Sequence, residues 1–222
     1  MKNFDPSVFA NYCKQNLNLK GTDSQDYRYK SLPACILDCI YSLRAKYYYV
    51  TVPVVDRYAK EYMNGDRFAE GDTLDDFIAR IKKDGYKKFA AELLKNNQVL
   101  SYRLKSEVCL DLAEALLAAG IHTIEDFQKL KSDDSSKLSK TIRRVKGVGD
   151  AAESYIFMLT GDQNRCKPDV HLLQCMKDAY GCKVNVKDCQ PIMEKTIDIL
   201  RVEYPSLTVR TLDALIWEKY RV

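Results

Sequence analysis

Val145-Lys146-Gly147-Val148-Gly149-Asp150 is the stretch on which the reading of this chain turns. It sits inside Lys137 to Thr160, which reads as helix, tight turn, helix. Two glycines around an apolar residue let the backbone reverse sharply and bring successive N–H groups to the start of the second helix. A helix start of that kind attracts an anion such as a DNA phosphate without reading any base. Val148 plugs back between the two helices, and Arg143, Arg144 and Lys146 add positive charge beside the turn. Taken alone, the three residues Gly147 to Gly149 read as the plain tight turn of a helical protein. A nucleotide-binding loop is disfavoured, because no strand precedes them and no third glycine follows.

Outward from the turn, almost every periodic segment is helical. Ser31 to Ala45 carries Leu32, Cys35, Ile36, Cys39, Ile40 and Leu43 at the spacing of one buried face, with Pro33 in the first turn where its missing N–H costs nothing. Val52 to Met63 reads as a second helix with Val54, Val55, Tyr58 and Tyr62 inward. Thr73 opens another, with Asp76 three residues on and a stripe of Leu74, Phe77, Ile78 and Ile81. Ser106 to Ala119 is amphipathic and is closed by Gly120. Thr123 is placed to cap the next helix, Asp133 to Ser136 is a polar loop, and two helices over roughly 189–204 and 206–220 are separated by Pro205. Lys46 to Val55 is the nearest approach to a strand. The fold class expected is all-α.

Composition bounds what such a chain does. A hydrophobic share of 46% with 30% charged residues is that of a folded globular protein, so disorder is not the expectation. No run nears the roughly 20 apolar residues of a membrane span, and the N-terminus lacks the apolar core of a secretory signal. The net charge of +4, from 35 basic and 31 acidic residues, permits a local basic face without requiring one. The eight cysteines form no C-x-x-C pair, and several lie in apolar helical runs as small hydrophobes. Cys175, Cys182 and Cys189 recur every seven residues, but metal and iron–sulfur sites are usually built from tight ligand pairs. The expectation is a reduced, intracellular chain with no metal and no cofactor.

After the second hairpin helix, a short loop leads to Cys166-Lys167-Pro168-Asp169-Val170-His171-Leu172-Leu173-Gln174. Here the chain resembles the helix-hairpin-helix DNA glycosylases, in the endonuclease III-like branch without an iron–sulfur cluster. Their pattern is a Gly-x-Gly hairpin, about twenty residues, then Pro or an apolar residue, Asp, any residue, His and an apolar run. Gly147, Gly149, Pro168, Asp169 and His171 match it in order and spacing. The likeness reaches from Ser31 to the end, strongly only over Val145 to Gln174. Ser42 to Lys46 falls where the family fills the gap left by a flipped base, and Leu212 to Tyr220 resembles its final core helix. The chain stops where iron–sulfur members continue into a four-cysteine loop. The resemblance implies one two-lobed helical domain over 1–222. Its core lobe spans 30–135; 1–29 and 136–222 form the other lobe, which carries the hairpin at 137–160.

The same resemblance implies the chemistry. Family members flip the target nucleotide out of the duplex, and departure of the base builds positive charge on the deoxyribose. A carboxylate stabilises that charge and orients water, the role implied for Asp169. Asp169 also stands where an aspartate simply caps a helix starting at Val170, and the two roles are compatible. Bifunctional relatives carry a lysine two residues after the second glycine; Ala151 stands there and cannot form a Schiff base, which implies monofunctional hydrolysis leaving an abasic site. Lys146, Gly147, Val148, Gly149 and Ala151 make up the implied DNA-binding turn. Arg44 is either the wedge into the duplex or an ordinary helix-end arginine. Tyr47, Tyr48 and Tyr49 either line a base pocket or alternate between core and surface. His171 and Trp217 read as structural, and His122 as a surface residue without a partner. The expected partner is double-stranded DNA, bound by a monomer in the cytoplasm or on the nucleoid (the nucleus in a eukaryote). The released base is left open: uracil or mismatched thymine, alkylated purines, oxidised bases, or a modified base of foreign DNA in a defence role. A non-catalytic DNA-binding module and a plain helical scaffold also remain as readings.

Overall fold

The computed structural model describes residues 4–20, 29–70 and 72–221. Its α-helices are α1 (Pro6–Asn16), α2 (Leu32–Ser42), α3 (Tyr47–Tyr62), α4 (Leu74–Asp84), α5 (Tyr86–Lys88, running into a π-turn at Phe89–Leu93), α6 (Lys105–Leu117), α7 (Ile124–Arg143), α8 (Asp150–Leu159), α9 (Val170–Tyr180), α10 (Val186–Leu200) and α11 (Val209–Tyr220). The only strands among the described residues are β1 (Val99–Leu100) and β2 (Arg103–Leu104), an antiparallel pair in which Val99 faces Leu104. Ser101 and Tyr102 both take positive φ between them, as a two-residue hairpin turn demands. The fold is all-α. No helix among the described residues is long and apolar enough to cross a membrane.

The chain divides into two compact units, Tyr27–Thr160 and the pair Met1–Asp26 with Gly161–Val222. In the larger unit α2 is the central helix. Every residue from Leu32 to Tyr41 is buried, as befits a helix that is apolar on almost every side, and α3, α6 and α8 pack around it. Ser31 starts it by accepting the Ala34 N–H at 3.2 Å, with Pro33 in the first turn. Thr73 caps α4 in the same way, and Leu74, Phe77, Ile78 and Ile81 are its buried face. α3 begins at Tyr47, where the sequence came nearest to a strand. Thr51, Val54, Val55, Tyr58 and Ala59 are its buried residues, at helical rather than alternating spacing.

Thr123 and Asp126 form a reciprocal capping box at the head of α7. Ten residues on, Asp134 leaves helical geometry (φ −153°, ψ 79°), and its carboxylate accepts the Lys137 N–H at 2.8 Å. The polar run read as a loop is thus a one-residue kink that ends one helical segment and caps the next. This alters the expected lobe boundary. A break after residue 135 assigns the hairpin to the lobe of the chain ends, but Leu138, Ile142, Val145, Val148, Ala152, Ile156 and Phe157 lie in one core with α2. Phe157 meets Phe127 edge-on, 5.4 Å between ring centres. The hairpin therefore belongs to the larger unit, and the division falls at 160/161.

In the smaller unit α1 packs against α9 and α10, and α9 against α11. Phe9, Ala10 and Cys13 of α1 share a core with Cys175, Met193 and Leu212. Gly181 ends α9 in the left-handed region, at φ 65°. α10 begins and ends earlier than the periodicity suggests, and α11 begins later, because Thr208 and Thr211 form a capping box that sets its start.

His122 has a partner that the sequence did not disclose. Its Nδ1 lies 2.6 Å from Asp75 Oδ2, and both side chains are exposed. The Asp75 bond raises the imidazole above its ordinary value of 6.5. The stabilisation is therefore complete below about pH 6.5 and is lost as pH rises through the raised value. Urea midpoints measured across pH 5.5 to 8.5 should contain this component in the native protein and lack it in Asp75→Asn. Identical pH profiles would show that the pair contributes nothing.

Candidate functional site

The hairpin of the larger unit is built as its sequence suggests. Gly147 sits at φ 102°, and a Cβ on it would lie 3.3 Å from Leu100 Cδ2 and 4.0 Å from Val108 Cγ1. Both the backbone angle and the close approach call for glycine there. Val148, 7% exposed, is the plug, and its N–H donates to Val145 O at 3.0 Å. Gly149 is the N-cap residue of α8 in an extended conformation, and no side chain caps that end. The first-turn amides of α8, at Asp150 and the half-buried Ala151, therefore have no side-chain acceptor. Left this way, a helix start suits an anion.

Charge around the turn differs from expectation in one respect. Arg143 is held by the Asp150 carboxylate and, at 3.3 Å, by Glu153 Oε2, while Ser139 donates to Glu153 Oε1 at 2.6 Å. Arg143 thus clamps the two hairpin helices together and offsets the acidic residue at the head of α8. Arg144 and Lys146 remain exposed and carry no ion pair among the described residues. Arg144 also lines an open cavity of about 480 Å³ with Lys137, Lys140, Ser136, Thr141, Asp134, Ala115, Ala118 and Ala119, so that three cations and one carboxylate border it.

Asp169 lies in the smaller unit and is half-buried. It caps α9: Oδ1 accepts the His171 N–H at 2.9 Å and the Leu172 N–H at 3.3 Å. Among the described residues Oδ2 takes no hydrogen bond. Its own N–H donates to Lys167 O at 2.7 Å, which tightens the loop just before the helix. Side chains from α10 and α11 hold that loop from below. Gln190 accepts the Cys166 N–H at 3.0 Å and donates to Asn164 O at 2.6 Å, and Asp213 Oδ1 accepts the Lys167 N–H at 3.2 Å. Burial, with the Asp169 charge nearby, pushes the Asp213 carboxyl well above the usual carboxylate range. The His171 ring stands edge-on to Trp217, 6.4 Å between centres, a packing role.

Arg44 is exposed in the turn directly after the C-cap residue of α2, at φ 53°. Lys105, 2% exposed, braces that turn from inside. Its ammonium donates to Tyr41 O at 3.0 Å, Leu43 O at 2.7 Å and Gln98 Oε1 at 2.8 Å, and burial lowers it to about 8. The three tyrosines after the turn part company. Tyr47 points its hydroxyl at Asp38 Oδ2 (2.7 Å), whereas Tyr48 and Tyr49 are exposed. Asp38 is fully buried on α2 and also accepts from Tyr29 at 2.7 Å and Tyr155 at 2.8 Å. Neither Lys105, Asp38 nor Asp213 stood out in the sequence. The available signal was a charge at an inward position of an apolar helix, as in Ile36-Leu37-Asp38-Cys39-Ile40.

All eight cysteines are free, and all but Cys182 are buried; burial pushes the Cys175 and Cys189 thiols up to about 12. Among the described residues no group of three or more His, Cys, Asp or Glu is placed to hold a metal.

No curated protein and no solved structure matches this chain. A family model described as "Domain of unknown function (DUF8548)" matches residues 7–221, and the chain belongs to that family.

Proposed function

We propose that the protein is a DNA glycosylase that hydrolyses the N-glycosidic bond of a damaged, mismatched or modified base in double-stranded DNA. The observation that carries this reading is the glycine hairpin that leaves the start of α8 uncapped beside the unpaired Lys146 and Arg144. A turn of that form suits a backbone phosphate, binding the duplex whatever its sequence. Asp169 supplies the chemistry. Its Oδ1 is anchored by two backbone amides, so the carboxylate is held in one orientation and Oδ2 is left for a ligand. As the C1′–N bond breaks, its electron pair leaves with the base and positive charge grows on the sugar. The carboxylate stabilises that charge, and the water it orients bonds to C1′ and gives up a proton to the carboxylate, the released base taking up a proton in turn. Capping and catalysis are here one arrangement. Ala151 offers no amine, so the base is released and the sugar stays in an unbroken strand as an abasic site.

The test is a panel of duplexes each carrying one modified base, incubated with the protein and then treated with alkali. Strand breaks should appear only after alkali. Breaks without alkali would overturn the monofunctional assignment, and no release anywhere in the panel would leave a DNA-binding module without catalysis.

The phosphate contact has its own test. Lys146→Glu should weaken duplex binding by a similar factor for every sequence and reduce the slope of log affinity against log salt by about 1 to 2, one cation lost and one charge reversed. Fluorescence anisotropy at several salt concentrations measures both, and an unchanged slope would remove Lys146 from the interface.

A further inference from the structure

We propose that Asp213 is the positioning residue for Asp169, holding through the Lys167 amide the short loop from which the Asp169 carboxylate projects. This rests on Asp169 being the working carboxylate, as proposed above. The connection is a chain of hydrogen bonds donated by backbone amides. Asp213 Oδ1 accepts the Lys167 N–H at 3.2 Å, Lys167 O accepts the Asp169 N–H at 2.7 Å, and Asp169 Oδ1 accepts the amides of His171 and Leu172. Asp213 is itself buried: it is 8% exposed on α11, between the core residues Leu212 and Ile216. The charged and titratable groups that bear on it are Asp169, Lys167, Arg210, Cys166 and Cys189. Burial and the Asp169 charge push its carboxyl well above the usual carboxylate range, against the Lys167 amide and the Lys167 and Arg210 charges, which act the other way.

Asparagine matches aspartate in size and keeps Oδ1 as acceptor for the Lys167 amide, whereas alanine removes the acceptor. The full-length protein should therefore behave in three distinct ways. In single-turnover base release, on the first duplex of the panel that responds, Asp213→Asn should stay within roughly threefold of the native rate. Asp213→Ala should fall by up to about 100-fold with duplex affinity kept, the expected result of displacing a catalytic group by about an ångström. Leu212→Ala, a cavity in the same helix that leaves the Lys167 bond intact, should lower stability yet preserve the rate per folded molecule. A second readout needs no substrate: amide hydrogen exchange at His171 and Leu172 should quicken in Asp213→Ala and not in Asp213→Asn. Equal rates or equal exchange in Asp213→Ala and the native protein would overturn the proposal. So would an Asp213→Asn variant as impaired as the alanine variant. Absence of release by the native protein would count against the glycosylase reading alone, because the exchange experiment still decides the positioning.

Discussion

Asp169→Asn should abolish base release while leaving fold and DNA affinity intact. The structure makes this substitution unusually clean. Asparagine is as good an N-cap as aspartate, so its Oδ1 continues to accept the His171 and Leu172 amides and α9 keeps its start. What disappears is the negative charge and the basic oxygen, which by comparison with single electrostatic or acid–base groups should slow the reaction by roughly 10² to 10⁴-fold. Asp169→Ala loses the same chemistry and the cap as well, adding a destabilisation of about 1 kcal/mol. Release rates, anisotropy on an intact duplex and chemical denaturation distinguish the two. An Asp169→Asn protein that released the base at the native rate would confine Asp169 to its capping role.

The largest effect on stability is expected at Asp38. Three phenols converge on its carboxyl group from three places in the chain, and burial beside it pushes all three hydroxyls up, which keeps them protonated donors. Asp38→Ala takes the shared acceptor from Tyr29, Tyr47 and Tyr155 together. Losing an acceptor costs a buried hydroxyl about 1–3 kcal/mol, so a total of roughly 3–5 kcal/mol is expected, after partial relaxation toward water and toward the hydroxyls' other partners. That is a large part of the 5–15 kcal/mol by which a typical domain is stable. Tyr29→Phe removes one donor together with its own hydroxyl and should cost only about 1 kcal/mol. Urea denaturation of the variants reads both values, and an Asp38→Ala cost below 1 kcal/mol would mean the network is not holding the unit together.

What was legible in the sequence was local chemistry. Ser31, Thr73 and Thr123 start helices because a side-chain oxygen reaches an amide two or three residues on, and that geometry needs nothing distant. Gly147 and Val148 were legible for the same reason. The start of α3 was not, since Tyr47-Tyr48-Tyr49-Val50-Thr51-Val52 has strand-favouring residues and only packing against α2 makes it a helix. Inward charges were illegible because their partners lie on other elements, some far along the chain: Tyr155 is 117 residues from Asp38, and Lys167 is 46 from Asp213. The unit boundary was misread at Asp133 to Ser136 because a polar run resembles a linker, and nothing local says that the buried residues on both sides join one core.

The smaller unit joins α1 to helices that begin more than 150 residues later, and this sets an order of events during synthesis. The larger unit is contiguous and can condense as soon as residue 160 clears the ribosome. α1 has no such choice: Phe9, Ala10 and Cys13 must wait for α9 and α10 to emerge, some ten to forty seconds after their own synthesis at about 5–20 residues per second. For that interval the nascent chain carries a helix whose apolar face, Phe9, Ala10 and Cys13, has no partner. A chaperone or a slowed ribosome would therefore act on this protein mainly through α1.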